Sequence, residues 1–210
     1  MNRRYFSLVE LLTVITVIAI LAGIAIPVIM HMASKGKETK ARAEMNAIKL
    51  GLTQFKSDYG IFPVTAAGDT LYSAGYSSVD HDADIDAMLQ HLTLIQTKPK
   101  PVTGDPPDPY TSTINTKKTR YLDVPAKPVP DLVKLHESDY LKGYYILDPW
   151  GRRYNIALDT DYNGQLALTA AFTKGSAETI AEKIAIFSFG NAEDTSDREA
   201  FLYTWKTSAE

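Results

Sequence analysis

Cysteine is absent from the 210-residue chain. That excludes disulfide staples, thiolate metal sites and cysteine nucleophiles, although it does not assign a compartment. The four histidines, at 31, 81, 91 and 136, show no HExxH-type spacing. There is no GxSxG, no P-loop and no GxGxxG placed after a strand, so no catalytic constellation supports an enzyme. A basic excess is missing too: 22 Lys plus Arg stand against 25 Asp plus Glu, a net charge of -3. This argues against a nucleic-acid partner held by a basic field.

What the chain does have is unevenly spread. Between Leu11 and Met30, 16 of 20 residues are apolar and none is charged. Twenty helical residues span about 30 Å, the thickness of a bilayer hydrocarbon core. A short basic leader, residues 1–5, contains Arg3 and Arg4 and ends at Tyr5. Glu10 interrupts the apolar entry among Leu8, Val9, Leu11 and Leu12. A carboxylate near hydrocarbon costs several kcal/mol unless paired, so it is a functional candidate, with a headgroup-level Glu paired to the leader arginines as the plain alternative. The positive-inside count is balanced, because Lys35, Lys37, Lys40 and Arg42 lie beyond the far end.

The helical pattern continues past the apolar run. Ala41, Met45, Ile48, Leu52, Phe55 and Tyr59 are spaced by 4, 3, 4, 3 and 4, an amphipathic stripe that needs a partner surface. Lys40, Glu44, Lys49 and Lys56 are assigned to its other faces. One helix over residues 6–58, about 80 Å long, is the expectation. It divides into an assembly or transmembrane part, 6–32, and an amphipathic part, 33–58. Residues 59–210 form an α+β head with 14 basic and 21 acidic residues, a net of -7.

Within the head, a loop is expected up to Val79 and a short helix over 82–96, its start crowded by Asp80, Asp82, Asp84 and Asp86. Carboxylates there suit capping and the helix dipole. Residues 97–130 hold eight of the eleven prolines and read as an extended surface insertion, with a short strand over 119–124. The clearest strands are 143–147, 153–158, 166–172 and 183–189. Asp148-Pro149-Trp150-Gly151 is a tight turn between the first two. Asp159-Thr160-Asp161-Tyr162-Asn163-Gly164 matches the first half of an EF-hand loop but lacks the distal Glu, since Ala170 holds that position. Asn163-Gly164 is also a type I′ hairpin signal. The segment therefore reads either as a plain hairpin or as a calcium-binding one through Asp159, Asp161 and Asn163. Ser196 with Glu199 forms a capping box for a C-terminal helical turn through Trp205.

Several of these residues carry a family resemblance. Phe6-Ser7-Leu8-Val9-Glu10-Leu11-Leu12-Thr13 resembles the prepilin signature of type IV pilins and type II secretion pseudopilins. Tyr59-Gly60-Ile61-Phe62-Pro63, and Asp148-Pro149-Trp150-Gly151 with Tyr154, resemble motifs of the major pseudopilins. The resemblance implies a type IV pilin-like fold, a long N-terminal helix packed on a small antiparallel sheet. It implies a prepilin peptidase that cuts between Tyr5 and Phe6 and methylation of the new terminus. Glu10 would pair with the terminal amine of a neighbouring subunit, and Pro27 would loosen the helix. Ser188 to Asp197 resembles the calcium loop of that family, which makes Asp194, Ser196 and Asp197 candidate ligands, with capping as the alternative. Ala192 stands where the family has its first Asp.

Two function classes follow. In the first, the chain is a structural pseudopilin of an inner-membrane-rooted pseudopilus for type II secretion. Its partners would be copies of itself, other pseudopilins, the membrane and the inner-membrane secretion platform. The N-terminus would be cytoplasmic and the head periplasmic. In the second, it is a membrane-anchored extracytoplasmic binding or display protein, or a minor type IV pilin, that uses the helix as an anchor. Tyr5 favours the second, because the family normally has Gly before the cut.

Overall fold

A computed structural model describes residues 8–64, 70–72, 83–94, 112–123, 127–128, 144–170, 173, 176–194 and 196–205. Its elements in chain order are α1 (Leu8–Tyr59), β1 (Thr70–Tyr72), α2 (Ala83–Thr93), β2 (Lys127–Pro128), β3 (Tyr144–Tyr145), β4 (Asn155–Leu158), β5 (Leu166–Leu168), β6 (Glu178–Ile180), β7 (Ile184–Ser188) and β8 (Leu202–Tyr203). The architecture is α+β and pilin-like, a long N-terminal helix with small antiparallel sheets. The chain divides into two compact units, Met1–Thr39 and Lys40–Glu210.

In the first unit, Leu8–Ile26 is long and apolar enough to cross a membrane, and none of it is buried. Nineteen residues cover about 28 Å. The two threonines there satisfy themselves locally. Thr13 Oγ1 donates to the Glu10 carbonyl at 2.9 Å and Thr16 Oγ1 to the Leu12 carbonyl at 2.8 Å. Hydroxyls closed on backbone oxygens expose no unmet polar group to hydrocarbon.

In the second unit, the stripe of α1 is buried. Ala41, Ile48, Leu52 and Phe55 have no exposed surface and Met45 has 1%. They share one core with Ile85, Met88, Leu89 and Leu92 of α2 and with Ile156, Leu158, Ile184 and Ile186 of the sheet. The main sheet runs β1-β4-β7-β8. Each neighbouring pair is antiparallel, and β4 meets β7 with Ile156 opposite Ile186 and Leu158 opposite Ile184. Side chains alternate across a strand. The other face therefore carries Ala157, Ala185 and Phe187, which join Leu166, Leu168, Ile180, Phe189, Phe201 and Trp205 in a second core. Cover on both faces explains why every residue of β4 and β7 is buried.

Several expectations are corrected. Residues 119–123 form no strand. Their donors go elsewhere: Tyr121 N and Leu122 N both reach the Leu92 carbonyl at the end of α2, at 2.9 and 3.3 Å. The stretch before Val79 contains a strand, β1, because Thr70 to Tyr72 pair with the open edge of β4. The Asn163-Gly164 turn does not close a hairpin. β4 pairs with β1 and β7, whereas β5 pairs with β6. A type I′ turn needs positive φ at both central residues, but here Tyr162 and Gly164 take it, at 61° and 84°. The capping-box helix is only a 3-10 turn, Arg198–Ala200. Pairing with β7 takes the chain after it: β8 forms, and Thr204 N donates to the Ile186 carbonyl at 3.0 Å. Finally, Glu44 is buried at 9% exposure rather than on an outer face. Most of the proline-rich insertion, with Asp80 and Asp82 before it, lies outside the described residues.

Candidate functional site

The first group of candidates belongs to the N-terminal half of α1. Tyr5 and Phe6 lie outside the described residues. Glu10 sits in the first turn of α1, where a carboxylate meets the positive end of the helix dipole. The large side chains flanking it, Leu8, Val9, Leu11 and Leu12, are 54–79% exposed. α1 continues without interruption through Pro27.

The second group joins α1 to the sheet. Asp148 to Gly151 forms a β-turn closed by Gly151 N to the Asp148 carbonyl at 3.0 Å. Gly151 takes φ 87°, a left-handed conformation that glycine adopts without penalty. Asp148, 1% exposed, holds the turn through its side chain. Its Oδ1 accepts from Trp150 N at 2.9 Å and Arg152 N at 2.8 Å, and its Oδ2 accepts from Ser188 Oγ at 2.6 Å. Burial raises the Asp148 carboxyl above the usual carboxylate range, while the bonds from Ser188, Arg152 and Trp150 pull it back. Trp150 is half-buried against the main core. Tyr154, three residues after the turn, donates its hydroxyl to Glu44 Oε2 of α1 at 2.5 Å. Burial first, and Glu44 second, push the Tyr154 phenol far above its ordinary value.

A third cluster holds the end of α1. Tyr59 OH donates to Asn115 Oδ1 at 3.0 Å and accepts from Lys117 N at 2.8 Å. Asn115, fully buried, also donates to the His91 and Thr119 carbonyls. Tyr121 OH donates to Asp58 Oδ2 at 2.6 Å. Lys56 Nζ lies 4.3 Å from the ring centres of both Phe62 and Tyr162, and those rings stack at 6.1 Å. Burial lowers the Lys56 pKa, and the charge of Asp159 opposes that. A cation over aromatic faces contributes about 0.5–2 kcal/mol.

The two acidic loops are occupied by their own hydrogen bonds. Asp159 is fully buried and accepts from Asn163 N at 3.1 Å and Gly164 N at 3.0 Å. Asp161 accepts from Asn163 N and Nδ2, and Asn163 Oδ1 accepts from Gln165 N. In the second loop, Asp194 Oδ1 accepts from Ser196 N at 2.7 Å and Ser196 Oγ at 2.5 Å. Those bonds, with a lesser one from the Asp197 amide, hold Asp194 below the usual carboxylate range. Asp197 is exposed. Among the described residues, no group of three His, Cys, Asp or Glu side chains is placed to hold a metal ion.

Sequence reasoning missed Glu44, Asn115 and Arg152. Glu44 had a legible signal: it lies three residues after Ala41 and four before Ile48, on the buried face. Asn115 and Arg152 had none, because the distant groups they meet, Tyr59 and the His91 carbonyl for Asn115 and the Gly190 and Ala192 carbonyls for Arg152, are brought close only by folding.

Fold and site together define a pilin-like α+β protein with an apolar N-terminal helix. The chain is distantly similar to a type II secretion major pseudopilin. Type II secretion system core protein G of Pseudomonas aeruginosa is 32% identical to it over 71 residues, which cover 32% of this chain and 50% of that protein. The chain thus spans about half the length of the curated relative it matches. No family model matches it, and no solved structure does.

Proposed function

We propose that the chain is a non-enzymatic pseudopilin subunit of a type II secretion pseudopilus. The supporting observation is the contrast within α1: Leu8–Ile26 is apolar with none of it buried, and a carboxylate stands in its first turn. The partial likeness to core protein G supports the same reading. In the membrane and then in the filament, the apolar surface packs against copies of itself and other pseudopilins. Glu10 finds its partner in the amine of a neighbouring subunit, which relieves the cost of a carboxylate in hydrocarbon. The prepilin peptidase frees that amine at Phe6, and methylation follows. Pro27 removes one helical hydrogen bond within the apolar half and eases extraction from the bilayer. The N-terminus faces the cytoplasm, and the head and the secretion platform's substrates lie on the other side.

Glu10→Ala is expected to leave membrane insertion intact and abolish assembly, read by cross-linking in membranes. Multimers indistinguishable from the unaltered protein would end the filament reading. Tyr5 favours a second reading, a membrane-anchored display protein with an uncut leader. N-terminal mass mapping of the membrane-extracted protein separates the two. A methylated Phe6 start supports the pseudopilin, and an intact Met1 supports the anchor.

A further inference from the structure

The loop after β7 is where the family resemblance places calcium, and its residues do not fit that ion. Calcium takes six to eight oxygens at about 2.3–2.6 Å. Position 192 is Ala and supplies no side-chain oxygen. Two backbone oxygens of the loop already face a cation. The Arg152 guanidinium donates through Nη1 to the Gly190 carbonyl at 3.1 Å and through Nη2 to the Ala192 carbonyl at 2.8 Å. Asp194 is turned to Ser196.

Arg152 is itself held in place by the turn before it. Its N–H donates to Asp148 Oδ1 at 2.8 Å, and its carbonyl accepts from Asp148 N at 2.7 Å. Asp148 also takes the hydroxyl of Ser188, whose Oγ accepts from Gly190 N at 2.9 Å. The loop is closed from the far side as well. Gly190 has φ 58°, and a Cβ there would collide with the Ala200 carbonyl oxygen. Turn, guanidinium and loop therefore form one ring of bonds, with a permanent positive charge on the loop carbonyls. A guanidinium suits this task because its planar fork presents several donors at once and stays charged at any working pH.

We propose that the Arg152 guanidinium replaces a divalent cation as the staple of the loop at 188–194, which folds and holds without calcium. The charge repels a second cation from the same carbonyls, and no coordination sphere remains to be completed. The loop is then indifferent to the calcium level around the head.

The test uses the full chain in detergent and does not depend on filament assembly, so it stands apart from the pseudopilin reading. The expected result is a melting temperature equal in chelator and in millimolar calcium, because a ligand that binds only the native state must raise it. Arg152→Gln is expected to speed hydrogen exchange of the 188–194 amides by about tenfold or more, the scale of a lost charged hydrogen bond. Arg152→Lys keeps the charge but not the fork, and covers the case in which Gln does not fold; it is expected to show intermediate exchange. A calcium-specific rise in melting temperature that Asp194→Asn or Asp197→Asn removes would overturn the proposal. So would 188–194 protection unchanged in both Arg152 variants. A calcium response lost only in Asp159→Asn places the ion in the other acidic loop and leaves this one stapled by Arg152.

Discussion

One helix contains two different kinds of surface. From Leu8 to Ile26 its large apolar side chains are at least half exposed on every face, as Leu12 at 54%, Val14 at 50% and Leu21 at 62% illustrate. From Ala41 to Phe55 one stripe is sealed, and Thr53, Gln54 and Ser57 face solvent. The backbone is helical throughout, so secondary structure does not distinguish the halves. What differs is the solvent each half is built for. A helix apolar all round suits lipid or like neighbours, while a helix with one apolar stripe suits a protein core. The halves treat carboxylates differently too. Glu10 stands in the first turn beside the exposed Leu8, Val9, Leu11 and Leu12, whereas Glu44 is buried and accepts from a phenol of the sheet at 2.5 Å.

The largest expected effect separates the two surfaces directly. Ile48→Ala removes a fully buried side chain from the main core and should lower unfolding stability by about 2–5 kcal/mol. Ile18→Ala, in the exposed half at 58% exposure, should change it by less than about 0.5 kcal/mol. Denaturant titration of both variants in detergent reads the difference. Equal losses would mean that the apolar half is part of the same folding unit.

A smaller effect tests the carboxylate contrast. Tyr154→Phe deletes the donor to Glu44 and should cost about 1–3 kcal/mol. The Tyr154 phenol lies above its unfolded value. Its contribution is therefore fully present below the unfolded value of about 10 and is lost as pH rises beyond it. The unaltered protein should weaken above about pH 10 more steeply than the Phe variant, in melting curves taken from pH 8 to 11. Parallel curves would remove Tyr154 as the cause.

Much of this contrast was legible in the sequence, and the reasons are physical. The apolar run and the stripe at 41–59 rest on helical periodicity, a local property that folding preserved. The Asp148-Pro149-Trp150-Gly151 turn rests on local dihedral preferences and also formed as read. What failed was decided at a distance. Asn163-Gly164 carries a hairpin signal, yet β1 and β7 occupy the two edges of β4. Ser196 and Glu199 carry a helix-start signal, yet the free edge of β7 drew residues 202–203 into a strand. In the site, the motif residues were visible, but the partners of Tyr154 and Arg152 were not. Glu44 lies 110 positions from Tyr154, and the two carbonyls 38 and 40 from Arg152.

The finest test turns on two glycines of the same helix. Gly→Ala inside a helix ordinarily stabilises by about 0.5–1 kcal/mol, because Ala loses less backbone freedom. At Gly36 a Cβ meets nothing within 4 Å, so Gly36→Ala should show that gain as increased helicity by circular dichroism. At Gly51 the added Cβ lies 2.7 Å from the Tyr121 carbonyl oxygen, backbone that cannot rotate away. That segment is tied by Tyr121 N and Leu122 N to the Leu92 carbonyl, so relief requires moving the 121–122 chain off α2. Overpacking of this kind costs about 1–3 kcal/mol, which exceeds the propensity gain. Gly51→Ala should therefore destabilise by about 1 kcal/mol, read by denaturant midpoint. If it stabilises instead, the 112–123 segment does not rest on α1 in solution, and the buried half of the helix is less tightly covered than its stripe implies.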